Sequence, residues 1–142
     1  MRVVAIHIAP GRRIPVRSVN SVVAEEGKGL VGDRYHGTTY RHVTIQSREL
    51  VHLAAKELGR DFDVGATRRN ITVDSGDIPT KLGTPIRIGE AELHVVRIMP
   101  PCRLLDDDIG RGAMDALQGR GGSVCRVMGS GIIRVGDPVE IG

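Results

Sequence analysis

Nineteen glycines, set mostly between short β-branched runs, constrain this chain more than any other feature of its sequence. Val3 to Ile8, Val16 to Ala24, Arg41 to Ile45, Asn70 to Val73, SVCRVM and IIRV are such runs. So are the two halves of TPIRIGEAELHVVRIM around Gly89-Glu90. Glycine reaches positive φ without strain and so serves tight turns, and alternating Val and Ile suit a half-buried strand. A chain written this way reads as mostly β. About eight or nine short strands are expected, and an open sheet of that many leaves adhesive edges, so the expected architecture is a small closed or nearly closed barrel. One main helix interrupts the pattern over Ser47 to Leu58. There Leu50, Leu53, Ala54 and Leu58 share a face, Ser47 stands as N-cap and Gly59 as C-cap.

At 142 residues, with no internal repeat or composition break, the whole of 1–142 is expected to be one domain. No apolar run approaches the roughly 18 residues of a membrane span, and the N-terminal MRVVAIHIAPGRR alternates like a strand instead of forming a signal-peptide core. Cytoplasmic residence without membrane association is the expectation. Cys102 and Cys125 are too few for a disulfide framework and too far apart for a CxxC motif, so both are expected as reduced thiols. A net charge of +3 permits anionic ligands. With one Phe, two Tyr and no Trp, however, the chain lacks the stacking platform of a single-strand nucleic-acid reader.

Two segments are longer than connections need. PPCRLLDDDIGRGAMDALQGRGG opens on Cys102, which follows two prolines and precedes Arg103. A neighbouring guanidinium raises the thiolate fraction, so at the mouth of a long loop this thiol reads as functional. Cys125, alternating with Val124 and Val127, reads as core packing, with a Cys102–Cys125 pair the minority alternative. The second segment, GKGLVGDRYHGTTY, offers Asp33, Arg34 and His36 among glycines, either as an anion site or as a tight turn capped by Asp33. TRRNITV adds Arg68, Arg69 and Asn70 at a strand's mouth, suited to phosphate or a pterin edge, though paired arginines there are also often simply solvated. Asp106, Asp107 and Asp108 lack calcium-loop spacing, and the histidines lack zinc-ligand spacing. No dinucleotide, P-loop or nucleophile-elbow motif is present.

Taken in order, GLVGDRYHG, RRNITV, LGTPIRIGEAELHVVRIMPPCRLL and GGSVCRVMGSGIIRVGDPVEI resemble the successive blocks of MOSC (molybdenum cofactor sulfurase C-terminal) domains, over roughly Val16 to Ile141. The resemblance implies the pyruvate-kinase-like barrel of that family and matches its characteristic cysteine to Cys102. It also implies that Asp33 with Arg34, and Arg69 with Asn70, line a pocket for the molybdenum cofactor (molybdopterin), with Arg103 beside them. In sulfurases the domain is associated with binding this cofactor and delivering sulfur. In amidoxime-reducing relatives the matching cysteine ligates molybdenum during reduction of N-hydroxylated compounds.

Three functions follow in order of preference. The first is a molybdenum-cofactor-dependent reductase of small N-hydroxylated substrates, with Cys102 as metal ligand and a redox partner supplying electrons. The second is a sulfur or cofactor carrier using a Cys102 persulfide, served by a pyridoxal-phosphate-dependent sulfurtransferase, since the chain shows no pyridoxal-phosphate site of its own. The third, disfavoured by the scarcity of aromatics, is a non-catalytic basic barrel that binds nucleic acid. The chain also stops after its final strand, without the C-terminal helical extension of many stand-alone family members. Oligomeric state is not legible in the sequence.

Overall fold

Each β-branched run becomes a strand because alternate side chains reach a common core while the backbone finds partners alongside. The computed structural model describes residues 1–100 and 104–142. Its strands are β1 (Val3–Ile8), β2 (Arg17–Val19), β3 (Ser21–Glu25), β4 (Gly29–Leu30), β5 (Val43–Ser47), β6 (Ile71–Val73), β7 (Pro85–Ile88), β8 (Ala91–Ile98), β9 (Ser123–Gly129), β10 (Gly131–Arg134) and β11 (Val139–Ile141). Helices α1 (Arg48–Leu58), α2 (Leu104–Asp108) and α3 (Ala113–Ala116) join them, with a 3-10 turn at Val64–Thr67.

Eight strands form one sheet in the order β11-β7-β8-β9-β5-β6-β1-β2, and β10-β3-β4 form a second. Neighbours are antiparallel except β5 and β6, whose parallel pairing needs the crossover that α1 provides. The expected strand Val16 to Ala24 breaks at Asn20. Its first half, β2, pairs with β1 in the large sheet, while β3 pairs with β10 in the small one. Both sheets nevertheless feed one core: Val22, Ala24, Leu30 and Ile133 from the small sheet meet Ile45, Ile71, Ile86 and Leu93 from the large.

The barrel, expected to be closed or nearly closed, is not closed among the described residues: neither sheet completes a hydrogen-bonded ring. β2 and β11 are three-residue edge strands, each paired on one side. β11 approaches β1 instead of β2, and only a single bridge, Arg2 to Pro138, joins them. Flanking bonds tighten this seam: Val3 N donates to Asp137 O at 3.0 Å and Val139 N to Met1 O at 2.9 Å.

Helix α1 has the expected limits, with Gly59 in the left-handed conformation at φ 74° receiving the C-cap role. Two details differ. Ser47 sits at the N-cap position, but its hydroxyl makes no capping bond and is buried without a partner. Of the expected face Ala54 is buried, but its neighbours in the core are Val51 and Ala55 instead of the leucines; Leu50 and Leu58 are half-buried and Leu53 is 45% exposed. Small residues face inward because the helix lies close to its neighbours. Ala54 packs in a second apolar cluster with Leu105, Ala113 and Leu117. No helix among the described residues is long and apolar enough to cross a membrane.

Candidate functional site

The turn after β4 is shaped by Gly32, whose φ of 91° a side-chain-bearing residue rarely adopts. It lays Asp33 and Arg34 alongside the end of β1. Ala9 N donates to Asp33 Oδ1 at 2.9 Å, and Arg34 N donates to Ala9 O at 2.8 Å. Asp33 also accepts from Tyr35 N at 3.2 Å and from Asn70 Nδ2 at 3.3 Å. Asn70 is saturated in turn: Nδ2 donates to His7 O, while Oδ1 accepts from the Thr44 amide at 2.9 Å. These two residues, both buried, are a brace that ties β1, β5 and the entrance of β6 together. Asp33 thus acts as the tight-turn acceptor.

In front of this brace lies a cavity of about 260 Å³ whose wall carries Arg12, Arg34, Arg41, Arg68, Arg69 and Arg97, with Asp108 the acidic residue among the described lining. Arg69 is buried, and donates from Nη1 to Thr67 O at 2.9 Å and from Nε to Gly121 O at 3.4 Å. Gly121 itself lies close to the Met99 main chain, where a Cβ would stand 2.8 Å from the Met99 carbonyl oxygen. Arg34 and Arg41 both lie over the Tyr35 ring, at 4.4 and 4.2 Å from its centroid, and Arg34 Nη2 donates to the Tyr35 hydroxyl at 2.6 Å. Burial pushes the Arg41 guanidinium below its ordinary value; Tyr35 opposes that shift, and the charges of Arg97 and Arg34 add to it. Its Nε is buried without a hydrogen-bond partner. Six guanidiniums held this close suit a polyanionic group presenting phosphate oxygens.

The structure therefore brings Arg34 and Arg69 to one cavity and sets Asp33 and Asn70 behind it. Cys102 and Arg103 lie outside the described residues. Pro100 and Leu105, on either side of them in sequence, both line the cavity. Cys125 is fully buried on β9, and burial pushes its thiol up to about 12, which makes it an inert packing group. The aspartates expected as a solvated turn belong to α2, where Asp106 Oδ1 accepts from Met114 N at 2.8 Å. His36 points elsewhere, pairing with Glu25 at 3.2 Å.

Sequence reading missed Arg12, Tyr35, Arg41 and Arg97. Arg97 carried a signal: Ala91, Leu93 and Val95 face the core, and an arginine next at that spacing is out of place on an inward face. A register shift between Val95 and Arg97 re-aims the strand's end. Arg12 and Arg41 sit in loop and strand-edge positions where arginine is ordinary, and nothing local marks them.

A mostly β fold with an arginine-walled cavity frames the class of protein. The chain belongs to the MOSC domain family, whose model matches residues 32–140. Among solved structures it is similar to the YuaD protein from Bacillus subtilis, at 20% identity and a TM-score of 0.88, covering 99% of this chain and 94% of that one. It is also similar to YiiM from Geobacillus stearothermophilus, at 20% identity and a TM-score of 0.78, covering 99% and 74% of the two chains. YiiM from Escherichia coli aligns at 23% identity with a TM-score of 0.74, covering 100% and 70%. At these identities the likeness speaks for the fold. No curated protein matches the chain in sequence.

Proposed function

We propose that this MOSC domain binds the molybdenum cofactor in the arginine-walled cavity and, with Cys102 as the thiolate ligand of the metal, reduces small N-hydroxylated substrates. The observation that carries the reading is the concentration of six arginines around one cavity that is bordered by both flanks of the Cys102 segment. The donor set fits the group. Guanidiniums match phosphate oxygens in charge and fork geometry, and a soft thiolate suits molybdenum. The buried, unpartnered Nε of Arg41 is a donor that an anionic ligand would satisfy. When bound, the group supplies the two-electron chemistry that N–O reduction requires.

The chain's own residues have separable tasks in this reading. Arg12, Arg34, Arg41 and Arg97 hold the anion, Tyr35 fixes two of them by stacking, and Arg68, whose guanidinium donates to Ile14 O, adds its charge to the wall. Arg69, anchored to Thr67 and Gly121, ties the turn before β6 to the segment that enters β9. Arg103 adds a further cation beside Cys102. Asp33 and Asn70 keep the wall rigid. The test is expression in a cofactor-competent host, with elemental analysis for molybdenum and fluorescence of released pterin. Near-stoichiometric molybdenum that is lost in Arg34→Met and Cys102→Ser is the expected result. Protein that carries neither metal nor pterin, yet takes up sulfane sulfur on Cys102, would overturn it in favour of a persulfide carrier.

A further inference from the structure

The arginine-walled cavity takes three of its lining side chains, Arg34, Tyr35 and Arg41, from the single loop between β4 and β5. Thr38 is the knot of that loop. Its N donates to Tyr35 O at 3.1 Å, and its hydroxyl lies 2.8 Å from Tyr35 O and 2.9 Å from Arg41 O. It thereby gathers the main chain of the two residues whose ring and guanidinium stack at 4.2 Å.

His42 fastens Thr38 to the body of the protein. The side chain is buried, at 1% exposure. Its Nε2 donates to Thr38 O at 2.6 Å, and its Nδ1 accepts from Val127 N of β9 at 3.0 Å. A carbonyl oxygen only accepts and an amide N–H only donates, so these partners admit one form of the ring, neutral with its proton on Nε2. A second proton has to go on Nδ1, where it meets the Val127 N–H, donor against donor. The histidine main chain cannot step aside. His42 N donates to Cys125 O at 3.1 Å, and Gly29 of β4 lies so close that a Cβ there would stand 3.3 Å from the His42 Cα. Of the two ends of the bridge, Val127 is paired with Leu93 in the large sheet, whereas Thr38 sits in a loop, so the loop end is the one that yields. Burial above all holds the imidazole below its ordinary value; the Thr38 carbonyl opposes that shift, and Arg126 of β9 and His36 of the loop add to it. His36 in turn pairs with Glu25 of β3 at 3.2 Å.

We propose that His42 is a positioning residue that makes anion binding in the arginine-walled cavity depend on pH: the neutral ring ties Thr38, and through it Tyr35 and Arg41, to β9, and the protonated ring releases them. This coupling requires the cavity to be an anion site, which is part of the proposed function. Its sign separates it from ordinary electrostatics. Acid adds positive charge to the molecule, so charge alone tightens an anion as pH falls, whereas release of Tyr35 and Arg41 weakens it. By reciprocity, an anion that needs the ordered loop favours the neutral ring and lowers the His42 titration midpoint, where simple attraction would raise it.

The test uses the full chain with labelled backbone and histidine rings, titrated at constant ionic strength with sulfate, whose charge does not change between pH 5 and pH 7.5. Sulfate binding is read from the Arg34 and Arg69 resonances, and the His42 midpoint from its ring resonances with and without sulfate. Sulfate is expected to bind about tenfold more weakly at pH 5 than at pH 7.5, and to lower the His42 midpoint. His42→Asn keeps an acceptor for the Val127 N–H and cannot take up a proton, so its sulfate affinity should no longer fall with acid. His36→Gln should keep the fall. Tighter sulfate binding at pH 5, a His42 midpoint raised by sulfate, the same fall in His42→Asn, or its loss in His36→Gln would overturn the proposal. If His42→Asn does not fold, the direction of the His42 midpoint in the unmodified chain decides it. Sulfate bound equally at both pH values would sink this coupling alone, and no sulfate binding at either pH would remove the anion site on which both readings stand.

Discussion

Two cysteines in one chain separate chemistry from packing. Cys125 is enclosed by the core on β9, and its thiol is pushed up to about 12. Cys125→Ser should therefore cost about 1–3 kcal/mol in urea unfolding, because its hydroxyl would be buried without a partner, while leaving molybdenum content unchanged. Cys102→Ser is expected to do the reverse: a hard oxygen is a poor molybdenum ligand, and the unfolding midpoint should stay close to that of the parent. Equal loss of metal in both variants would point to a two-cysteine relay. The histidines carry a second residue-scale prediction. Burial is the main cause holding both His7 and His42 below the ordinary value of 6.5. Between the folded values and 6.5 the unfolded chain binds more protons than the folded one, so stability is complete above 6.5 and falls as pH drops through that window. Urea midpoints measured from pH 7.5 down to pH 5 should show this decline, and His7→Phe should make it shallower; an unchanged slope would mean that His7 does not contribute.

Helix α1 shows how an element's existence and its orientation are specified separately. Its period, its Ser47 position and Gly59 set where it begins and ends, whereas the buried face is decided by close packing against the sheet and α3. Leu53→Ser should thus fall within about 0.5 kcal/mol of the parent, since Leu53 is largely exposed. Ala54→Leu, at a fully buried position in the second cluster, should cost about 1–3 kcal/mol by overpacking. The opposite order in chemical denaturation would restore the leucine face. Glycines at element ends differ in the same way. A Cβ on Gly59 meets open space, so Gly59→Ala loses only the left-handed backbone preference, about 1 kcal/mol. At Gly122, with φ 79°, a Cβ would run into the Ile45 carbonyl of β5. Gly122→Ala should cost about 3 kcal/mol or more, or prevent folding, because backbone on backbone has no way to yield.

Across the whole molecule, the seam between β11 and β1 is where the architecture is thinnest. One bridge and a few flanking bonds join strands that would need a full ladder to close a barrel. Hydrogen exchange should therefore release the amides of Val3, Gly136 and Val139 well before those of Val124 and Val127, which sit in the centre of the large sheet. Equal protection at the seam and at β9 would show that the edges open only with the whole fold. The same assembly concentrates charge. A chain of net charge +3 places six arginines around one cavity, so its local field is far more positive than its overall composition.

What the sequence by itself determined was local: β-branched runs between glycines made the fold mostly β, a change of period placed α1, and alternation put Cys125 in the core. The ordered blocks from GLVGDRYHG to GDPVEI also sufficed to identify the MOSC family. Propensity and periodicity act over a few residues, so these features needed no knowledge of neighbours. Only the tertiary structure decided that Val16 to Ala24 divides between two sheets, that α1 turns Val51 and Ala55 inward in place of its leucines, and that the ring of strands stays open. It alone gathered Arg12, Arg34, Arg41, Arg68, Arg69 and Arg97 from five separate segments of the chain. It also set His42 between Val127 and Thr38, a bridge that no motif announces. The physical reason is common to all of these: strand order and helix docking, not any residue's own preference, determine which distant side chains share a volume, and a surface arginine in a loop reads the same whether it meets water or a ligand.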